Sequence, residues 1–321
     1  MDVLRLTLRQ LQIFVAVARS GSTTAAGTRI ALSQSATSSA VNELERLLSL
    51  RLFDRAGKRL LLNDNGRALL PRALAMLDTA TGIERMSREG TAQAQSLRIG
   101  ASTTIGNYVL PKLLVQFFEE RHQHAGTAWR SIVTIGNTEA ICAAVAGFEL
   151  DIGLIEGPCH QESLLVTPWL RDELVVVASH SSVLAGFTQA SGAVKRGPQC
   201  VSLETLRDLV WLLREPGSGT RDTTDQLLLP YLRSYRRSIE LGSSEAIKHA
   251  AAEGLGVACL SQWVVSDLIE RKHLCRIASP LPKMTRQCHL VTHRDKQPTR
   301  ALLRFIEQAS AMDGTLNLVI D

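Results

Sequence analysis

Residues 21–48 read GSTTAAGTRIALSQSATSSAVNELERLL, and this stretch decides how the N-terminal fifth of the chain folds. Ser22 offers an N-cap oxygen to a short helix whose Ala25 and Ala26 are small enough to let a neighbouring helix approach. Ala31 and Leu32 make a tight turn, and Ser33 caps a third helix. There Ala36, Ala40, Leu44 and Leu47 line one side, while Gln34, Ser38, Asn42 and Glu45 line the other. Upstream, Leu8, Leu11, Phe14, Val15 and Ala18 recur at helical spacing and predict a first helix over residues 8 to about 19, ended by Gly21. A helix, a short capped helix, a brief turn and a polar-fronted helix are the order of a helix-turn-helix. Its last helix enters the major groove of a duplex with its N-terminal residues toward base edges.

Gln34, Ser35, Thr37 and Ser38, beside the capping Ser33, are the candidate readers. Gln can bond an adenine edge in bidentate fashion, and Ser or Thr serve base edges or phosphates. A polar helix face is also the ordinary solvated face, so the pattern alone leaves both readings open. Next, Leu52, Phe53 and then Leu60, Leu61 and Leu62 flank a Gly57-centred turn, which predicts a β-hairpin wing. On it Arg55, Lys58 and Arg59 suit phosphate neutralisation.

Charge supports this placement. The chain has 321 residues and a formal net charge of +5. Residues 1–63 hold nine Lys or Arg against four Asp or Glu, which accounts for the whole excess, and residues 64–321 are balanced. A basic module on a neutral body points to a polyanion, most simply nucleic acid. At 45% hydrophobic and 21% charged residues, the composition excludes intrinsic disorder. No apolar run reaches the length of a membrane-spanning helix, so no membrane partner is expected. Arg5 and Arg9 before an apolar run faintly imitate a secretory signal, but Gln10 and Gln12 interrupt it, and a cytoplasmic location is expected.

Asn63 and Asp64 cap a long helical stretch containing Leu69, Leu70, Leu74, Met76, Leu77 and Ile83, with Pro71 inside it. Its apolar side exceeds what one helix buries, which suits pairing with a second copy. Residues 91–96, small and polar, read as a hinge. From residue 97 onward apolar strands alternate with helices opened by Ser, Thr, Asn or Gly, in two successive sets. This argues for parallel sheets flanked by helices and for two lobes.

Ligands of such sheets bind where strands end and helices begin. Hydroxyl clusters stand at three such ends: Ser102, Thr103 and Thr104; Ser218, Gly219, Thr220 and Arg221; and Ser243 with Ser244. A cation such as Arg221 at a helix start opposes the helix dipole, and a bound anion would resolve the conflict. Neutralisation by Asp222 and Asp225, with the hydroxyls as plain caps, is the alternative. Phosphate-loop, zinc-protease, nucleophile-elbow and paired-carboxylate patterns are absent, so no catalytic residue, cofactor or enzymatic activity is expected. The six cysteines show no CxxC and read as reduced thiols. Cys159 beside His160 is too little for a metal site, and Cys200 is a candidate redox switch without an obvious partner.

The chain resembles the LysR-type transcriptional regulators over nearly its whole length. In the N-terminal module the likeness lies in LRQLQIF (8–14), GSTTAA (21–26), ALSQSATSSAVNELE (31–45) and LFDRAGKRLLLNDNG (52–66). In the body it lies in IGASTTIGNYVLP (99–111), DIGLIEGPCH (151–160), REPGSGTR (214–221) and LGSSEAIKHAAAEGLGVACLS (241–261). Within the family it looks most like a branch that includes regulators of sulfur metabolism. The resemblance implies an α/β chain with a winged helix-turn-helix at 1–63 and a linker helix and hinge at 64–96. It also implies a two-lobed effector domain at 97–310 that resembles type 2 periplasmic binding proteins, and a tail at 311–321. Lobe one would span 97–168 and 277–310, and lobe two 169–276. The resemblance further implies double-stranded promoter DNA as partner, dimers through the linker helix assembled into tetramers, and contact with RNA polymerase if the protein activates. A small anionic effector, a sulfur oxyanion in this branch, would meet Ser102, Thr103, Thr104, Ser218, Gly219, Thr220 and Arg221, with Asn137 and Ser244 as further positions. Residues 186–197, rich in Gly, Ala and Lys, depart from the pattern. Two rival readings remain: a ligand carrier whose N-terminal helices only mediate assembly, and a thiol redox regulator.

Overall fold

A computed structural model describes residues 5–57, 59–89, 97–122, 131–182 and 200–312. Lys58, the hinge at 91–96, the segment 186–197 and residues 313–321 of the tail lie outside the described residues. The chain divides into two compact units, one of residues 1–95 with 146–148 and 295–297, and one of residues 96–145, 149–294 and 298–321.

In the first unit α1 (Leu8–Ser20) begins with a reciprocal cap in which the Gln10 amide nitrogen donates to Thr7 Oγ1 and the Thr7 N–H to Gln10 Oε1. Gly21, at φ 65°, ends it. Ser22 caps α2 (Thr23–Ile30) and Ser33 caps α3 (Gln34–Leu48). Close packing of α2 on the turn depends on Gly27, since a Cβ there would lie 2.6 Å from the Leu32 carbonyl oxygen and 3.0 Å from Thr37 Oγ1. The buried side of α3 is Thr37, Val41 and Leu44, with Leu48 packed against the same core. Of the expected apolar side, Leu44 is buried and Ala40 packs on the same core, whereas Ala36 is exposed and Thr37 and Val41 are buried instead. Thr37 can take the inward place because its hydroxyl donates to the Ser33 carbonyl at 2.9 Å.

Strands β1 (Phe53–Ala56) and β2 (Arg59–Leu62) form an antiparallel hairpin with Ala56 opposite Arg59. Glu45 fastens this hairpin to α3 by accepting from the N–H groups of Leu52 and Phe53. Helix α4 (Asp64–Glu89) follows, with Pro71 inside it and the Asn63 side chain accepting from the Gly66 N–H. Ala73, Leu70, Leu74 and Leu77 pack on the helix-turn-helix core, while Met76 and Ile83 stay exposed.

The second unit opens with β3 (Arg98–Ser102), α5 (Thr103–Tyr108), α6 (Leu110–His122), β4 (Ile132–Gly136), α7 (Thr138–Ala146) and β5 (Ile152–Glu156). The strands β4, β3 and β5 are parallel neighbours. Then come β6 (Leu164–Ser179), α8 (Leu203–Asp208), β7 (Val210–Leu213), α9 (Gly219–Leu232), β8 (Arg237–Glu240), α10 (Ser244–Ala252), β9 (Ala258–Ser261) and α11 (Gln262–Glu270). The unit closes with β10 (Leu274–Arg276), β11 (Met284–His293) and α12 (Arg300–Ala311). The expectation of parallel sheets holds only for β3 to β5 and for β7 with β8. Strand β11 pairs antiparallel with both β5 and β6, and β6 pairs antiparallel with β9 and β10, so the main sheet is mixed. The reason is that β6 and β11 run through two cores. Trp169, Leu170, Cys288 and Leu290 pack in one core, and Leu174, Val176 and Met284 in the other. Strand-helix alternation cannot reveal strands that return from a long excursion, because pairing partners distant in sequence leave no local pattern.

Candidate functional site

The first candidate site is a groove of about 760 Å³ between α2, α3 and the hairpin, lined among others by Thr23, Gln34, Ser38, Asn42, Arg51, Arg55 and Arg59. Gln34 and Ser35 are exposed, and Gln34 Nε2 donates to Thr23 Oγ1 at 3.3 Å. Ser33 is primarily a cap, its Oγ accepting from the Ala36 N–H at 3.2 Å. Thr37 is fully buried, so its expected role as a reader is corrected: it holds α3 against α2. Arg55 and Arg59 are exposed on the hairpin and enter no ion pair among the described residues. Asn42 and Arg51 line the groove but were not expected as contacts, although Asn42 follows Ser38 by one helical turn on the polar side.

The second candidate site lies at the strand ends of the second unit. Arg214, at the end of β7, is only 3% exposed, and its guanidinium gathers groups from distant parts of the chain. Nη1 donates to Ser244 Oγ at 2.9 Å, Nη2 to Thr103 Oγ1 at 3.5 Å, and Nε and Nη2 form a bidentate pair with Glu215 at 2.7 and 2.8 Å. Asn137 Nδ2 reaches the same Glu215 carboxylate at 3.4 Å. Partial burial works against charge on Glu215, yet the hydrogen bonds from Arg214 hold its carboxyl below the usual range. Thr103 and Ser244 therefore converge on one cation, and Asn137 on its carboxylate partner, a pair that the strand-end hydroxyl pattern did not single out. The signal was present in REPGSGTR, whose first arginine follows a strand directly.

Arg221 does not take that place. Its Nε pairs with Asp225 at 2.7 Å, one turn along α9, and its Nη1 donates to the Arg214 carbonyl at 2.8 Å. Here the carboxylate at i+4 neutralises Arg221, the alternative that the sequence also offered.

The remaining expected residues join a sealed polar network. Ser102 Oγ contacts the Glu156 carboxylate and accepts from the Glu156 N–H at 3.1 Å, and the Thr104 N–H donates to Glu156 Oε1 at 3.4 Å. Arg286 from β11 pairs with Asp172 of β6 through Nε at 2.8 Å, and its Nη1 donates to Thr220 Oγ1 at 2.8 Å. The Gly219 N–H donates to Thr138 Oγ1 at 3.1 Å, which in turn donates to the Glu156 carbonyl at 2.9 Å. Only glycine fits at 219, since a Cβ would stand 1.7 Å from that carbonyl oxygen. Ser218 is buried, and its side chain makes no cap bond to α9. Burial raises the Glu156 and Asp172 carboxyls, and Arg286, one cation between two acids, only partly opposes the shift. Thr104 Oγ1 is buried without a hydrogen-bond partner among the described residues.

A helix-turn-helix with a basic hairpin, together with an α/β body holding a buried guanidinium among strand-end hydroxyls, defines a DNA-binding regulator with a ligand domain. Residues 8–67 match the bacterial regulatory helix-turn-helix protein, lysR family, and residues 90–313 match the LysR substrate binding domain. The chain belongs to the LysR family of transcriptional regulators. It is 45% identical over 304 residues to the HTH-type transcriptional regulator YeiE of Escherichia coli K12, covering 95% of this chain and 97% of that one. The Synechocystis PCC6803 CcmR regulatory domain in complex with 2-PG is similar at TM-score 0.56 and 27% identity, over 68% of this chain and 97% of that one. Full-length CbnR complexed with its target DNA shares the fold at TM-score 0.57 and 18% identity, over 95% and 99% of the two chains. These relatives are transcriptional regulators and not enzymes. Among the described residues no helix is long and apolar enough to cross a membrane.

Proposed function

We propose that this regulator senses a small anion at Arg214, and that the anion takes the place Glu215 occupies on the guanidinium. The carrying observation is that Arg214 is buried yet held by a carboxylate from the neighbouring residue, with Thr103, Asn137 and Ser244 around it. A planar guanidinium binds a tetrahedral or planar oxyanion through paired N–H donors. Hydroxyl and amide groups beside it complete the coordination. A sulfur oxyanion is the proposed class, following the likeness to the sulfur-metabolism branch, and the complex of CcmR with 2-PG supports a small ligand in this domain. Promoter DNA is read by Gln34, Ser35 and Ser38, with Arg55, Lys58 and Arg59 on phosphates. Pairing of α4 through Met76 and Ile83 makes the dimer from which a tetramer is built in the cytoplasm, and RNA polymerase becomes a partner if the regulator activates.

The test is thermal unfolding of the full chain against sulfite, sulfate, thiosulfate, phosphate and carboxylates. A ligand that binds only the folded state at a hundredfold excess over its Kd stabilises by about 2.7 kcal/mol. The expected result is a selective rise that is lost in Arg214→Gln. A rise that survives in Arg214→Gln, or none with any anion, overturns the proposal.

A further inference from the structure

Outside the two sites, one pocket of about 580 Å³ brings together two of the six thiols. Cys142 stands on α7 and is 4% exposed, and Cys159 lies just past β5 with a partly exposed side chain. Both line the pocket with His160, Glu139, Gly217 and Asp222, and the two thiols are near enough to influence one another's ionisation. Cys259, Cys275 and Cys288 are sealed in the cores, while Cys200, the thiol that stands out in the sequence, is exposed.

We propose that Cys142 and Cys159 form a redox-sensitive dithiol that closes to a disulfide when a hydroperoxide enters this pocket. Burial and the neighbouring sulfur keep the proton on Cys142, so the partly exposed Cys159 meets the oxidant. The Cys159 thiolate attacks one peroxide oxygen; the O–O bond breaks, the other oxygen leaves with a proton as water, and Cys159 becomes a sulfenic acid. The Cys142 sulfur then attacks the Cys159 sulfur; the S–S bond forms, the S–O bond breaks, and the departing hydroxide takes the Cys142 proton as a second water. Two thiols are oxidised and one hydrogen peroxide is reduced to two waters. The crosslink ties α7 to the segment directly after Glu156. Thr138, one turn before Cys142, makes the contact to the Gly219 N–H, so oxidation changes the stiffness of the very elements that hold the start of α9.

The full chain is treated with hydrogen peroxide, its remaining thiols are alkylated under native conditions, and it is digested without reductant for mass spectrometry. The expected result is a loss of two hydrogens in a Cys142–Cys159 linked peptide, formed in wild type and in Cys200→Ser and absent from Cys159→Ser. In Cys142→Ser, Cys159 is instead trapped by dimedone as the sulfenic acid. A wild-type chain that keeps both thiols free while Cys200 links two copies overturns the proposal. So does a linked peptide that appears only after denaturation, and neither result depends on a variant folding.

Discussion

Two buried arginines of the second unit, Arg214 and Arg286, are almost equally inaccessible and are built for opposite purposes. Arg286 faces Asp172 and Glu156, all three buried, and it pairs with Asp172 across β11 and β6, the two strands that run through both cores. Arg214 has for partner a carboxylate on the adjacent residue whose side chain is 25% exposed, with single hydroxyls from remote elements beside it. A buried pair whose partners are fixed by the fold is structural, because removing either charge strands the other. A buried cation whose partner reaches solvent can exchange that partner for a ligand. Burial alone does not mark a binding site; what matters is whether the partner can leave.

The largest effect expected from breaking this contrast is in Arg286→Met. It leaves two sealed carboxyls without a cation and costs about 3–5 kcal/mol, read as a lowered urea midpoint at neutral pH. Arg214→Gln is the opposite case: a smaller loss of stability, but a loss of anion affinity of about a hundredfold, or roughly 2–3 kcal/mol, in calorimetric titration. If both variants lose stability equally and anion binding is unchanged, the contrast fails.

Glu156→Gln sharpens the comparison through pH. Burial raises the Glu156 carboxyl above its unfolded value, so its contribution to stability is complete below the unfolded pKa and is lost as pH rises through the folded one. The amide has no proton to lose, and the melting temperature of Glu156→Gln is expected to gain on wild type as pH rises above the ordinary carboxylate range. A difference that stays constant as pH rises sinks the assignment of this charge cost to Glu156. The smallest effect belongs to the exposed hairpin. Arg59→Ala should weaken binding of any duplex and reduce the slope of log affinity against log salt by about 1. Thr37→Val, in contrast, should lower stability without changing that slope.

The N-terminal module was legible in considerable detail, because helix starts, caps and a hairpin turn are local features: Ser22, Ser33, Gly21 and Asn63 each act within a few residues of where they stand. Only the facing of α3 was misjudged. An alanine reads as core and a threonine as surface, while here the Thr37 hydroxyl is satisfied by its own helix and turns inward. In the second unit the strand ends and helix starts were also legible, and with them the neighbourhood of a ligand site. Which of the hydroxyls face one another was not.

The sequence by itself determined the helix-turn-helix with its wing, the long helix behind it, the α/β character of the body and the concentration of positive charge at one end. Each of these follows from periodicity, capping or composition within a short window. The tertiary structure alone decided that β6 and β11 thread two cores, that Arg214 and not Arg221 holds the centre of the strand-end cluster, and that Cys142 and Cys159 line one pocket. Those outcomes depend on pairings between residues tens to more than a hundred positions apart. Such contacts are set by how strands pair and helices pack in three dimensions, and nothing in the local chain encodes them.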